Sequence, residues 1–251
     1  MKYPLIRFES RKWLDKLING ELFMRNSFYY QTLEESDSAR SDTFDGSAPF
    51  ADKNRIMESI IGQEVRNARL MVLDRYIKCF YHCTEDDFIQ TESGLWKLSL
   101  SGKAKDAANE FNADSVLLVF EPIEFIKQVE KVCARNNESF SYGNVKYIDY
   151  DEQGFTTVYD DIFRNNKIYE LPFYKDKKFS NQKEFRICIQ HQYINADETT
   201  TVLYLPKSIG DITYSINIGK IENACILSKE NFLKNGVLLD VKNEHYYVCE
   251  E

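Results

Sequence analysis

The sequence predicts one α+β domain over residues 1–251, built mainly of antiparallel sheets with a few flanking helices. Three observations support this prediction. Strand-like apolar runs dominate the C-terminal half, amphipathic segments with helical spacing occur before them, and no repeat or Pro- or Gly-rich linker divides the chain. With 251 residues, of which 43% are hydrophobic, the chain is long enough to bury a substantial core.

The N-terminal region predicts a strand, a helix and a second strand. The run Tyr3–Phe8 is strand-like, and Ser10 is a candidate N-cap for a helix that ends at Asn19-Gly20. The apolar stripe of this helix contains Trp13, Leu14, Leu17 and Ile18. A second extended segment begins at Leu22–Met24. Residues 34–54, rich in Ser, Asp, Gly and Pro, predict a long loop, and loops of this length in compact domains are uncommon unless functional or disordered.

The rest of the chain predicts strands interrupted by two helices. Strands are expected within residues 55–82, ending in the run Tyr76–Tyr81, and at Val116–Phe120. Ala104–Phe111 is a helix candidate, and Pro122 opens a helix with core-packing spacing. Later strands are predicted at 145–150, 201–205, 212–218, 224–227 and 237–241.

The net charge of -8 argues against a large nonspecific nucleic-acid surface, because neutralising phosphates requires clustered Lys and Arg residues. A local exception is a basic cluster in the C-terminal half. Its members are Lys175, Lys177, Lys178, Lys183 and Arg186. This cluster predicts a positive rim, and a solvated turn with lysines placed for solubility is the equal alternative.

The cysteines and the N-terminus indicate a cytoplasmic protein without a structural metal. Six cysteines form no Cys-x-x-Cys pair, and none of the three histidines completes a zinc site, so we expect reduced, mostly buried thiols. The N-terminus has no apolar signal core. No segment approaches the roughly 18 apolar residues of a membrane span. We expect no membrane association.

The most informative stretch is Phe179–Ile189, where a polar turn leads into an alternating apolar run. Side chains alternate along a strand with a period of two, which places the polar residues on one face. These are Gln182, Glu184, Arg186 and Cys188. The residues predicted to point into the core are Phe185, Ile187 and Ile189. A carboxylate, an amide and a guanidinium would line up, and the alternative is a half-buried strand with a solvated outer face.

The chain resembles ADP-ribosyltransferases of the toxin type, in which a first-strand arginine, a middle polar strand and a late Gln-x-Glu or Glu-x-Glu strand surround NAD. Gln182 and Glu184 match the late element, and Leu5-Ile6-Arg7-Phe8 matches the first. The run Cys79–Thr84 takes the place of the middle Ser-Thr-Ser element, and its His82-Cys83-Thr84 is similar to the His-x-Thr of other superfamily members.

The chain also resembles a widespread group of uncharacterised bacterial and phage proteins. These share an Arg-x-Asp-x-x-x-Gly loop, a central Cys-Phe strand and a late Gln-x-Glu-x-Arg strand. The matching residues are Arg40, Asp42, Gly46, Cys79, Phe80, Gln182, Glu184 and Arg186. This resemblance covers most of the chain and implies no particular reaction.

The first resemblance implies an ADP-ribosyltransferase-like fold with NAD as a substrate. Glu184 would hold the ribose and stabilise its developing positive charge, and Gln182 would orient the acceptor. The candidate cofactor-binding residues are Arg7, Tyr29, Tyr30, Arg40 and Asp42, with arginine on the pyrophosphate and tyrosine stacked on a ring. The acceptor of ADP-ribose would be a nucleic-acid base or a protein side chain. The protein would act as an intracellular toxin or a phage-defence effector. An antitoxin or inhibitor protein would be a candidate partner.

Structural alternatives accompany these residues. Arg7 can simply pair with Glu9, the loop residues Arg40 and Asp42 can lock their own loop, and tyrosines are common core or rim residues. A noncatalytic binding module of a defence or regulatory system is the second candidate function. A metal-dependent nuclease is the third, but its acidic pairs Asp86-Asp87 and Asp160-Asp161 are adjacent and would point apart on a strand.

Overall fold

A computed structural model describes residues 3–26, 29–30, 47–49, 69–71, 75–149, 158, 160–165, 167–191, 213–242 and 245–248. The strands are β1 (Leu5–Glu9), β2 (Glu21–Asn26), β3 (Ser47–Pro49), β4 (Arg69–Met71), β5 (Arg75–His82), β6 (Phe88–Gln90), β7 (Trp96–Leu98), β8 (Ser115–Val119), β9 (Glu138–Asn144), β10 (Lys146–Ile148), β11 (Tyr174–Asp176), β12 (Glu184–His191), β13 (Thr213–Asn217), β14 (Ala224–Ser228), β15 (Val237–Lys242) and β16 (His245–Val248). The helices are α1 (Arg11–Ile18), α2 (Gly102–Glu110), α3 (Pro122–Asn136) and α4 (Lys229–Asn235).

The main sheet branches at β5. Within the described residues this sheet has eight strands, and all of their pairings are antiparallel. One edge of β5 pairs with β12 over almost its whole length, and β9 follows β12. The other edge is shared, since Tyr76 and Ile77 pair with β2 whereas Tyr81 and His82 pair with β1. The strands β1 and β2 therefore separate from each other beside the middle of β5 and leave a fork in the sheet.

Both faces of this sheet are covered, which explains why β5 and β8 are buried along almost their whole length. On one face α1 and α3 pack their apolar stripes, including Leu14 and Phe125, into a core with Phe80 and Phe185. On the other face α2, α4 and the sheet β16-β15-β7-β6 pack with the first strand, whose Ile6 side chain belongs to this second core. The predicted α+β class with mainly antiparallel sheets is confirmed.

Most of the predicted elements that the structure describes are present. The helices α1 and α3 and the strands β5 and β8 lie where the apolar spacing placed them. Strand β9 was not predicted, because its sequence ESFSYGN is largely polar, and the seven-residue helix α4 was not predicted either. The strand predicted at 201–205 lies outside the described residues, as does most of the loop at 34–54. Among the helices in the described ranges, none has the length and apolar character needed to cross a bilayer.

Gly20 allows the turn after α1 to approach the backbone beyond β13. Its φ is +102°, and a Cβ at this position would lie 2.6 Å from the carbonyl carbon and oxygen of Gly219. We expect Gly20→Ala to lower the free energy of unfolding by about 1–3 kcal/mol through overpacking, beyond the cost of a positive φ in an L-residue. Urea unfolding measures this loss.

Gly94 provides the matched control, because its φ is also positive, at +83°, while the space beside it is open. Within the described part of the chain, no heavy atom outside the neighbouring residues lies within 4 Å of the position that an added Cβ would occupy. Gly94→Ala therefore reports the backbone cost alone. Equal losses in the two variants would contradict a close approach at Gly20.

Candidate functional site

A pocket opens at the fork of the main sheet. It is bounded by β1, α1 and β2, by the middle of β5, and by Lys175 and Gln182 from residues 168–182, which we call the cover segment. The cavity volume is about 120 Å³. A cavity of this order holds one six-membered ring, because an engineered apolar cavity of about 150 Å³ binds benzene. The described walls therefore suit one ring of a larger ligand whose remainder lies outside.

Five of the seven site residues predicted from the sequence line this one pocket. They are Arg7, Tyr29, Tyr30, Gln182 and Glu184. The other two, Arg40 and Asp42, lie outside the described residues. The five come from β1, the residues after β2, the cover segment and β12, so only the fold brings them together.

Glu184 is buried in the pocket wall and held by two cations. Its Oε2 accepts hydrogen bonds from the Lys175 ammonium at 3.1 Å and from Nη2 of Arg186 at 3.0 Å. Burial alone would raise the pKa of the Glu184 carboxyl, but Arg186 and Lys175 outweigh burial and hold this pKa well below its usual range. Glu184 is therefore a carboxylate at any physiological pH, and one side of it is already bonded.

Gln182 lies before β12 and not on it, which corrects the predicted row of polar residues. It ends a short 3-10 turn, Lys177–Gln182, and the strand begins at Glu184. Between them Lys183 adopts a left-handed conformation with φ +38° and ψ +51°, so the chain turns where strand alternation predicted a pleat. Gln182 still joins the site, because its Oε1 accepts a hydrogen bond from Lys175 at 2.9 Å.

The polar face of β12 is buried, so the solvated alternative is wrong, whereas the predicted row is confirmed for Glu184, Arg186 and Cys188 and is wrong for Gln182. Arg186 is 0% exposed and Cys188 is 2% exposed. The cover segment lies over this face, where Phe173 packs with Ile77 and Cys188, and the Pro172 carbonyl accepts a hydrogen bond from Arg186. The opposite face is as predicted, since Phe185, Ile187 and Ile189 belong to the first core. Strand alternation identified two faces but not the layer that covers the second.

Arg7 stands at the branch point of the sheet. Its Nη1 donates to the carbonyl of Cys79 at 2.9 Å, on the stretch of β5 between the residues that pair with β2 and those that pair with β1. The proposed pair with Glu9 is also present, at 2.6 Å. Burial alone would lower the pKa of Arg7, but Glu9 and Tyr30 raise it, so the guanidinium remains charged. Its buried Nε has no hydrogen-bond partner within the described part of the chain.

The predicted positive rim around the Gln-x-Glu pair is not formed. Lys175 and Arg186 are buried. The other members pair with nearby acids, Lys177 with Asp149, Lys178 with Asp176 and Lys183 with Asp87. Positively charged side chains instead line the pocket itself. Among its described lining residues the cations are Arg7, Arg25, Lys78 and Lys175, and the carboxylates are Glu9, Glu21 and Glu184.

The run Cys79–Thr84, which takes the place of the middle element in the resemblance, lies only partly in the pocket. Cys79, Phe80 and Tyr81 line the pocket. His82 is not among the described lining residues, and its ring contacts Oδ1 of Asn144 at 2.8 Å, while burial lowers its pKa. The candidate acid Asp87 is buried and accepts a hydrogen bond from Tyr81. No group of three or more His, Cys, Asp or Glu side chains suited to a metal ion occurs among the residues described.

Sequence reasoning missed the pocket roles of Phe23, Arg25, Lys78 and Lys175. Lys175 was assigned to an exposed rim, and only its burial under the cover segment reveals it as the bridge between Gln182 and Glu184. A signal was available for Lys78, because a lysine inside the apolar run of β5 must find polar partners. No such signal marked Phe23, which alternates normally along β2.

Three comparisons, with protein-family models, with curated proteins and with solved structures, found no match for this chain. The case for a function therefore depends on the geometry of the pocket.

Proposed function

We propose that the protein is an NAD-dependent ADP-ribosyltransferase with an ADP-ribosyltransferase-like fold, in which Glu184 is the catalytic carboxylate. The observation that carries this proposal is the convergence of Arg7, Tyr29, Tyr30, Gln182 and Glu184 on the fork pocket. These residues were selected from the sequence because such a site needs an arginine, an aromatic ring, an amide and a carboxylate. Their meeting in one pocket is a condition that unrelated surface residues would rarely meet.

The residues of the pocket fit the parts of NAD. The cavity accepts one ring, and Tyr29 or Tyr30 can stack on nicotinamide or adenine. Arg7 lines the pocket, and its guanidinium could donate to a pyrophosphate oxygen. The ionised Glu184 would accept a hydrogen bond from a ribose hydroxyl and stabilise positive charge on the ribose.

In the transfer, the bond between ribose C1′ and the nicotinamide nitrogen breaks, and nicotinamide leaves with the electron pair. A nitrogen or oxygen of the acceptor forms the new bond to C1′ and releases its proton to water. Gln182 would orient the acceptor, because its amide can donate and accept hydrogen bonds without competing as a nucleophile.

One observation favours a second candidate function, a noncatalytic binding module. Lys175 and Arg186 both bond Glu184 Oε2, and their charges reduce the stabilisation that this carboxylate can give to a cationic ribose. A pocket whose carboxylate only positions cations would hold an anionic ligand without chemistry. The two functions differ in whether nicotinamide is released.

The decisive experiment follows nicotinamide release and transfer of label from adenylate-labelled NAD to RNA, DNA and total protein. We expect transfer by the wild-type protein and a loss of about 100-fold or more in Glu184→Gln, the order found when one electrostatic contact to a transition state is removed. Gln182→Ala should reduce transfer more than NAD hydrolysis, because it acts on the acceptor. Glu92→Gln, at an exposed turn, is the matched control and should retain activity.

The outcomes separate the candidates. Saturable NAD binding that Glu184→Gln leaves intact, with no nicotinamide release by either protein, would favour the binding module. Absence of both binding and release would refute an NAD site. Circular dichroism of each variant verifies that lost activity does not reflect unfolding.

A further inference from the structure

A row of stacked aromatic and cationic side chains runs from the exposed end of the fork pocket toward its interior. The Trp13 ring stacks on Phe23 with centroids 5.0 Å apart and an interplanar angle of 25°. The Arg25 guanidinium lies 5.5 Å from the Phe23 centroid and 3.9 Å from that of Tyr29. The Lys16 ammonium lies 4.8 Å from the Trp13 centroid. We call these five residues the aromatic–cation row.

The row belongs to the mouth of the candidate site. Trp13, Phe23, Arg25 and Tyr29 all line the pocket that contains Glu184. Trp13 is nevertheless 36% exposed, although its ring stacks on Phe23. A rigid tryptophan that stacks on a second ring and stays exposed beside a pocket is suited to holding a planar group.

The charge around the row is opposite to that of the rest of the protein. Residues 1–26 contain six Lys and Arg residues and three Asp and Glu residues, which gives this segment a net charge of +3. The remaining residues have a net charge of -11, so the whole chain has a net charge of -8. Arg11 and Lys12 precede Trp13 on α1, and both are exposed. The nearby acids Asp15 and Glu21 pair with Arg11 and Lys16 across the surface. Such pairs are worth about 0–1 kcal/mol and exchange readily for a phosphate.

We propose that the aromatic–cation row docks a single-stranded nucleic acid, the acceptor for ADP-ribose. A base would stack on Trp13 in place of the Lys16 ammonium, and Lys12 and Lys16 would contact the flanking phosphates. Stacking tolerates any base because every base has a π face. A duplex does not fit this mode, since its bases already stack on each other. The identity of the acceptor rests on the proposed transferase function, whereas the docking itself does not.

Docking is measured without NAD, by the anisotropy of fluorescein-labelled RNA and DNA oligonucleotides of about 12 nucleotides, a length within known site sizes. Trp13→Ala should weaken binding about 5- to 150-fold, the equivalent of one stacked base. Trp13→Phe keeps an aromatic face and should restore most of the affinity. Lys12→Glu/Lys16→Glu should weaken binding and flatten the salt dependence by about 1.4 in log-log slope, for two phosphate contacts on a single strand.

The matched control is Lys103→Glu/Lys131→Glu, which makes the same charge change at exposed positions on α2 and α3. It should bind as the wild-type protein does. An equal loss in both double variants would mean that only net charge matters and would overturn the proposal.

Fluorescence tests the stacking directly. The chain has two tryptophans, so Trp96→Phe leaves Trp13 as the only reporter. Saturable quenching by single strands supports the proposal. It is overturned by equal affinity for duplexes or by the absence of binding. In the label-transfer assay, modification of protein but not of nucleic acid would overturn this acceptor and leave the transferase function standing. Oligonucleotide binding without NAD turnover would overturn the transferase function and leave the docking standing.

Discussion

Glu184→Gln is expected to lower the free energy of unfolding by about 3–5 kcal/mol near neutral pH, because it leaves buried cations without their carboxylate. The side chains of Lys175 and Arg186 are 4% and 0% exposed, so water compensates poorly for the lost carboxylate. Gln is close in size to Glu, which excludes a cavity as the cause. Urea unfolding followed by circular dichroism measures the loss.

The pH dependence of this loss identifies its origin. The pKa of Glu184 is lower in the folded protein than its ordinary value of 4.5, so the ionised carboxylate stabilises the fold fully above that value. As the pH falls below about 5, the wild-type protein gradually loses this contribution whereas Glu184→Gln has none to lose. The difference between the two proteins should therefore shrink from about pH 5 downward. A constant difference would show that packing, not charge, explains the loss.

Arg186→Met is expected to cost a similar amount, about 3–5 kcal/mol, because it removes the other partner of the same buried pair. Arg186 is fully buried and joins two elements, donating to Glu184 on its own strand and to the Pro172 carbonyl of the cover segment at 2.5 Å. Methionine fills much of the volume, but it removes the donor to the Pro172 carbonyl and leaves Glu184 with one cationic partner instead of two. Arg135→Met, at an exposed position on α3, is the matched control and should change stability by no more than about 0.5 kcal/mol.

A double-mutant cycle tests whether Glu184 and Arg186 act together. Once Glu184→Gln has removed the carboxylate, Arg186→Met also removes a stranded cation, so the double variant should lose less than the sum of the two single losses. Additive losses would show that the two side chains stabilise the fold independently. The same cycle with Lys175→Met separates the contribution of the second cation.

Local pattern was sufficient for the elements whose side chains alternate toward a core. The apolar stripe of α3, the continuous apolar run of β8 and the apolar face of β12 were each predicted from residue spacing. The side chains that a helix or strand buries recur in the sequence with the period of that element. The burial of the polar face of β12 was not predicted. Whether a strand face is solvated depends on what covers it, and here that is a segment whose own sequence carries no regular period.

The residues of the candidate site were also identified from the sequence, but their positions in space were not. Arg7, Tyr29, Tyr30, Gln182 and Glu184 were identified by the chemistry of their side chains and by their order along the chain, which are local properties. Their convergence was decided by the branching of the sheet at β5, which requires pairing between strands far apart in sequence.

The ionisation of Glu184, the burial of Arg186 and the bridging position of Lys175 were likewise decided by the tertiary structure. The strength of a charge interaction depends on burial and on distances of a few ångströms between residues that no spacing rule connects. The sequence by itself thus determined the fold class and the chemical content of the Gln-x-Glu region. Only the three-dimensional packing determined that this region forms the wall of a pocket.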